Sequence, residues 1–284
     1  MDRNGFLKKS ITTLAAAVGA AKVTKAEKQA EIVQQVGFEH LPSLNNKTMN
    51  SVLHKANTRG HANHGWLDTN HTFSFAHYYD PERMNFGALR VLNDDFVDGG
   101  QGFGRHPHDN MEIISIPLAG DLEHKDSMGN VAVIRQNDVQ IMSAGTGVYH
   151  SEYNKNPDSK VNFLQIWLFP KERNITPRYD QRTFKPEDRV NKLQQIVSPV
   201  KEDNGVWINQ DAWFHLGNFK KDFKTDYTIN KKGNGVYAFV INGDVTINGQ
   251  KLNKRDGFGV WDTDKLSIAA DSDAEVLLME VPMN

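Results

Sequence analysis

Cysteine is missing from all 284 positions, which excludes disulfides, thiolate metal sites and cysteine nucleophiles and leaves the redox compartment open. Charge of one sign is missing too. Lys+Arg at 33 offset Asp+Glu at 35 for a formal charge of -2, so the composition offers nothing to nucleic acid. The alanine-rich apolar run from Ile11 to Ala21 is too short to span a bilayer. Histidine is scarce in one half only: ten of the eleven lie in the first 150 residues, and His215 stands alone beyond them. A multi-histidine site can therefore be built from the first half alone.

What is present begins with Arg3, Lys8 and Lys9 ahead of that apolar run. This order reads either as a targeting leader ending near Ala21 or as an uncleaved amphipathic helix. The segment Arg3-Asn4-Gly5-Phe6-Leu7-Lys8 resembles a twin-arginine export signal with Asn4 in place of the second arginine. A working leader would export the protein to the periplasm; otherwise it stays in the cytoplasm. Lys22 to Gln35 is polar and helix-prone, and Pro42 to Lys47 reads as a loop.

From Thr58 onward no long apolar helical period occurs. Short β-prone runs separated by Gly, Pro, Asn and Asp take its place. Phe73-Ser-Phe75, Ala88 to Leu92, Glu112 to Leu118, Val131 to Arg135, Val139 to Met142 and Phe163 to Phe169 are strand candidates. Hairpin turns are expected at Gly120-Asp121, Asp126 to Asn130 and Asn137-Asp138. Pro170 to Pro186, with three prolines and several charges, reads as an irregular crossing between lobes. The β pattern then resumes at Leu193 to Ser198, Val206 to Ile208, Tyr237 to Ile241, Val245 to Ile247, Gly257 to Trp261, Leu266 to Ile268 and Glu275 to Val281. The expected fold is all-β, with two β-sandwich or barrel lobes at residues 52–170 and 187–284, a crossing at 171–186 and an extension at 1–51.

One stretch stands out chemically: Gly100 to Glu112, containing His106-Pro-His108, answered by Gly145-Thr-Gly-Val-Tyr-His150-Ser-Glu152. Ligands at i and i+2 on a strand point to the same face. Four can therefore converge from two strands, and three imidazoles with a carboxylate suit a divalent transition metal such as iron. His106, His108 and Glu112 share a parity, as do His150 and Glu152, so spacing alone leaves either glutamate as the fourth ligand. The intervals around Gly100, His106, His108 and Glu112, and from His150 to Asn154, follow the two cupin signatures. Gly120 arrives one residue late for that pattern, and Ser143 stands where it has proline.

Arg59-Gly-His-Ala-Asn-His64-Gly-Trp66, His71-Thr-Phe-Ser-Phe75, Asn93-Asp94-Asp95, His106-Pro-His108, Asp126-Ser-Met-Gly129-Asn, Gln140 to Gly147 and His150-Ser-Glu152 together resemble the pirins, a bicupin family. The resemblance runs from about Arg59 to the end of the chain. It implies a metal in the N-terminal cupin held by His106, His108, His150 and Glu152, with no ligands in the second cupin. Glu112 then becomes a neighbour of the site, orienting a ligand imidazole. His64, Trp66 and His71 are expected to pack or hydrogen-bond. His61, His77, His124 and His215 lack partners at ligand spacing and read as structural or exposed, while Phe103 is near enough to line a cavity mouth.

The resemblance also implies an activity: opening of flavonols by dioxygen, as in quercetin 2,3-dioxygenases. Fe(II) is the first expectation for the metal, with Ni, Mn, Co, Cu and Zn also admissible. Glu152 would accept the substrate's 3-hydroxyl proton, and an aromatic-lined pocket would hold the flat ring system. The partners expected are a small aromatic substrate and dioxygen, for a monomer with no membrane role. A different function known among pirins is a metal-binding regulatory module that docks on a partner protein. A sugar-isomerising cupin is a third reading and would need hydroxyl-binding polar residues around the metal.

Overall fold

The computed structural model describes residues 49–284. The leader-like Met1 to Ala21, the helix-prone Lys22 to Gln35 and the loop at Pro42 to Lys47 lie outside the described residues. Within these limits the chain is nearly all-β, and the only helices are two short 3-10 turns, Ala56–Thr58 and Pro186–Arg189. No helix among the described residues is long and apolar enough to cross a membrane.

Two seven-stranded and two four-stranded sheets make up the fold. The first seven-stranded sheet runs Arg178–Thr183, Asp138–Ser143, Glu112–Ala119, Val161–Leu168, Leu89–Val97, Leu67–His71, Gly60–Asn63; the second runs Asn50–His54, Gly257–Trp261, Asn234–Asn242, Ala274–Pro282, Trp213–Phe219, Leu193–Ser198, Val206–Trp207. Each has a four-stranded companion: Gly102–His108, Val148–Asn154, Leu122–Asp126, Val131–Ile134 in the first half, and Lys224–Thr228, Lys265–Ala270, Val245–Ile247, Gln250–Leu252 in the second. Strand alternation sorts the side chains. Ile114, Leu164 and Ile166 face Phe214, Phe239 and Leu277 between the two large sheets, whereas Val97, Leu122, Ile134 and Phe163 fill the first sandwich. Truncating one of these fully buried leucines or isoleucines to alanine costs about 2 to 5 kcal/mol.

A buried charge cluster also joins the halves. Asp94 Oδ2 meets Arg59 at 3.4 Å and Arg255 Nε at 3.1 Å, while its Oδ1 accepts from Asn162 Nδ2 at 2.9 Å.

The turns at Gly120-Asp121, Asp126 to Asn130, Asn137-Asp138, Asn242-Gly243 and Asn248-Gly249 all join strands as their composition indicates. Three departures have physical causes. The crossing at 171–186 is not wholly irregular: Arg178–Thr183 is an edge strand paired with Asp138–Ser143, and its charged residues suit an exposed edge. Phe73 to Phe75 is no strand, because Ala76 turns the chain at φ 50 and Phe75 bridges back to Tyr78. Trp213–Phe219, inner in its sheet, carries no clean alternation because both its faces are covered.

The two small sheets explain why, among the described residues, one half alone carries the histidine cluster. Counting from the Gly-Asp turn that opens each hairpin, His124 of the first half aligns with Ile247 of the second. The strand pairings then align Glu152 with Ile268, His150 with Leu266 and His106 with Tyr227. All four second-half residues are buried in its core, so apolar side chains fill the place the histidines occupy in the first half.

Candidate metal centre

Gly102–His108 and Val148–Asn154 pair antiparallel with His150 opposite His106 and Val148 opposite His108; a bulge separates His150 from Glu152. The pairing needs a glycine at 102, because a Cβ there would stand 2.2 Å from the Glu152 carbonyl oxygen. Three imidazoles converge as a result. Ring centroids are 4.4 Å apart for His106 and His150, 4.9 Å for His108 and His150, and 4.9 Å for His106 and His108.

His106 Nδ1 donates to the Gly104 carbonyl at 2.7 Å, which leaves its Nε2 as a bare acceptor. Nε2 of His108 and both nitrogens of His150 are buried without a hydrogen-bond partner. Burial, followed by the neighbouring imidazoles, lowers His150 to about 3 and His108 to about 4. Both rings are thus neutral at pH 7, the form that binds a metal.

Glu152 is buried beside them. Its Oε1 accepts from Ser115 Oγ at 3.0 Å and its Oε2 from Gln165 Nε2 at 2.7 Å. Donor atoms of His106, His108 and His150 lie within 4.8 Å of one another, and those of His124, His150 and Glu152 do likewise. Orphaned, neutral, convergent nitrogens next to a fixed carboxylate are a donor set that fits a divalent transition metal. On the outer side, Trp167 stands edge-on 4.9 Å from His108, and Phe75 stands 5.3 Å from Trp167.

Of the four residues expected as ligands, His106, His108 and His150 fall in one group, and Glu152 shares a second group with His150 and His124. Glu112 is not among their neighbours. The strand breaks after His108, and Asn110 turns at φ 47 before Glu112 starts a strand of the large sheet. Glu112 shares the face of Ile114, toward the second lobe, where its Oε2 accepts from Ser143 Oγ at 2.8 Å and from the Asn209 backbone N–H at 3.1 Å. The parity shared by His106, His108 and Glu112 fails because the strand between them is interrupted.

His124 is the residue that sequence reasoning missed. It is fully buried with a ring nitrogen in the cluster, because Leu122–Asp126 pairs with the ligand strand and sets His124 opposite Glu152. A usable signal was its own i, i+2 pairing with Asp126. His71 donates through Nδ1 to Asn93 Oδ1 at 2.9 Å, and Trp66 packs on Phe103 at 5.3 Å. His61 and His77 are exposed, and His215 is half-buried against Tyr227.

Two stacked β-sandwiches of matching strand order, with one histidine-carboxylate cluster among the described residues, in the first, define a bicupin with a candidate metal centre. The pirin family model matches residues 51–168, and a model described as the quercetinase C-terminal cupin domain matches residues 195–281. The chain is 50% identical over 230 residues to a quercetin 2,3-dioxygenase of Escherichia coli, covering 81% of this chain and 98% of that one. It is 40% identical over 222 residues to a pirin-like protein of Caulobacter vibrioides, covering 78% of this chain and 95% of that protein. The crystal structure of the bacterial pirin YhhW from E. coli in complex with nickel(II) superposes with a TM-score of 0.79 at 48% identity, covering 83% of this chain and all of that one. The chain belongs to the pirin family.

Proposed function

We propose that this pirin is a metal-dependent dioxygenase that cleaves a flavonol or similar enol, with His106, His108, His150 and Glu152 holding the metal. The observation that carries the reading is the convergence of three imidazoles, two of which, His108 and His150, have unpartnered buried nitrogens, with Glu152 grouped beside His150. Relatives named quercetin 2,3-dioxygenase and the nickel(II) complex of YhhW support it. Fe(II) is the first expectation for the ion, and the donor set also accommodates Ni, Mn, Co, Cu or Zn. When bound, the metal supplies Lewis acidity that lowers the pKa of a coordinated hydroxyl.

The remaining work falls to the protein. Glu152 takes the 3-hydroxyl proton of the substrate, and its two hydrogen-bond donors, Ser115 and Gln165, hold the carboxylate in place for that transfer. Trp167 and Phe75 give the site an aromatic wall against which a flat ring system packs. The products are the ring-opened ester and carbon monoxide, which together account for both atoms of dioxygen.

The test is an aerobic quercetin assay on protein loaded with Fe(II), run beside elemental analysis. Flavonol absorbance should fall with wild type and persist with His106→Ala. A fully metallated wild type that leaves quercetin intact would overturn the reading.

A further inference from the structure

Behind the ligand strand lies a second pair of titratable side chains to which the proposed chemistry assigns no role: His124 and Asp126, whose side chains are both inaccessible to solvent. Asp126 is held rigidly. Its Oδ1 accepts from the backbone N–H groups of Met128 at 2.9 Å and Asn130 at 3.0 Å, and its Oδ2 accepts from Asn130 Nδ2 at 2.8 Å. Oδ2 also takes the Nε2–H of His124 at 3.1 Å. A neutral imidazole that donates through Nε2 presents Nδ1 as a bare acceptor. That Nδ1 is buried with no partner, as is Nδ1 of His150, whose ring centre is 5.4 Å away. Tyr179, 4.7 Å from His124 at an interplanar angle of 33°, backs the ring from the edge strand.

We infer that His124, oriented by Asp126, is a positioning residue for the metal centre: its Nδ1 accepts the N–H of His150 that metal binding leaves over. The inference rests on the ligand quartet proposed above. A metal-bound histidine commonly gives its other N–H to a fixed acceptor, which sets its tautomer and ring angle. The two nitrogens are not bonded to each other here, and one bridging water is sufficient to join them. The second lobe supplies an independent argument. Where His150 and Glu152 are replaced by Leu266 and Ile268, His124 is replaced by Ile247 and Asp126 by Gly249. The pair is present in the lobe with ligands and absent from the one without.

Cobalt(II) titration of the full chain, followed by its visible d–d absorption and by chelator competition, tests the inference. His124→Phe should weaken Co(II) binding about 10- to 100-fold and change the d–d spectrum. His124→Asn, whose amide oxygen takes the place of Nδ1, should recover most of both. Asp126→Asn is the second variant. Its amide N–H turned to Nε2 forces the proton onto Nδ1, and the affinity should fall as in His124→Phe. Wild-type affinity and spectrum in His124→Phe would overturn the inference, as would equal damage in the Phe and Asn variants. Failure of the quartet reads differently: wild type itself would bind no stoichiometric Co(II), or His106→Ala would bind it unimpaired.

Discussion

Glu112→Gln should abolish a specific loss of stability between pH 4.5 and 7. Glu112 is 1% exposed, and burial pushes its carboxyl from 4.5 up to about 7. The donors Ser143 and Asn209 and the charge of Arg178 only partly oppose that shift. Below pH 4.5 the group is protonated in both folded and unfolded chains. Between 4.5 and about 7 the unfolded chain ionises while the folded one resists, so stability falls as pH rises; above that both ionise and the loss is complete. A gap of about 2.5 pH units at 1.36 kcal/mol each is worth about 3 kcal/mol.

Glutamine keeps an acceptor for Ser143 and Asn209 but cannot ionise. The difference in unfolding free energy, variant minus wild type, should therefore rise by about 3 kcal/mol from pH 4.5 to 7 and stay flat beyond. Urea unfolding of the metal-free proteins, followed by tryptophan fluorescence, measures it. Asp95, which burial also raises to about 7, and the lowered histidines His108 and His150 contribute equally to both proteins. They cancel in the difference. Parallel pH profiles for variant and wild type would refute the argument that Glu112 is buried uncharged between the lobes.

Two further outcomes follow from packing and charge. Asp94→Asn should cost about 3 to 5 kcal/mol by leaving Arg59 and Arg255 facing a neutral side chain at the lobe junction; a loss under about 1 kcal/mol in urea unfolding would contradict that role. Gly102→Ala should lower both stability and metal affinity, because its Cβ meets the Glu152 carbonyl at 2.2 Å and Tyr153 Cα at 2.5 Å. Gly104→Ala, whose nearest neighbour is Tyr153 Oη at 3.8 Å, should leave both unchanged, and isothermal titration with Ni(II) compares the two.

The departure at Ser143 from the cupin pattern has a structural counterpart. A proline there could not give Glu112 the hydroxyl hydrogen bond it receives. The arrangement helps hold a buried carboxyl at the junction, where the second lobe contributes the Asn209 backbone N–H.

Much of this protein was determined by its sequence alone, because the signals concerned are local. Turn dipeptides such as Gly120-Asp121 and Asn248-Gly249 punctuate the strands where the backbone needs positive φ, at Gly120, Asn248 and Gly249. The i, i+2 spacing within His106-Pro-His108 and His150-Ser-Glu152 already states that each pair shares a face. Tertiary structure decided the rest, because strand register joins residues that are far apart in the chain. It set His124 opposite Glu152, turned Glu112 away to the other lobe and made an edge strand of Arg178–Thr183. Parity is informative only while a strand continues, and the break between His108 and Glu112 sends the two side chains into different layers of the molecule.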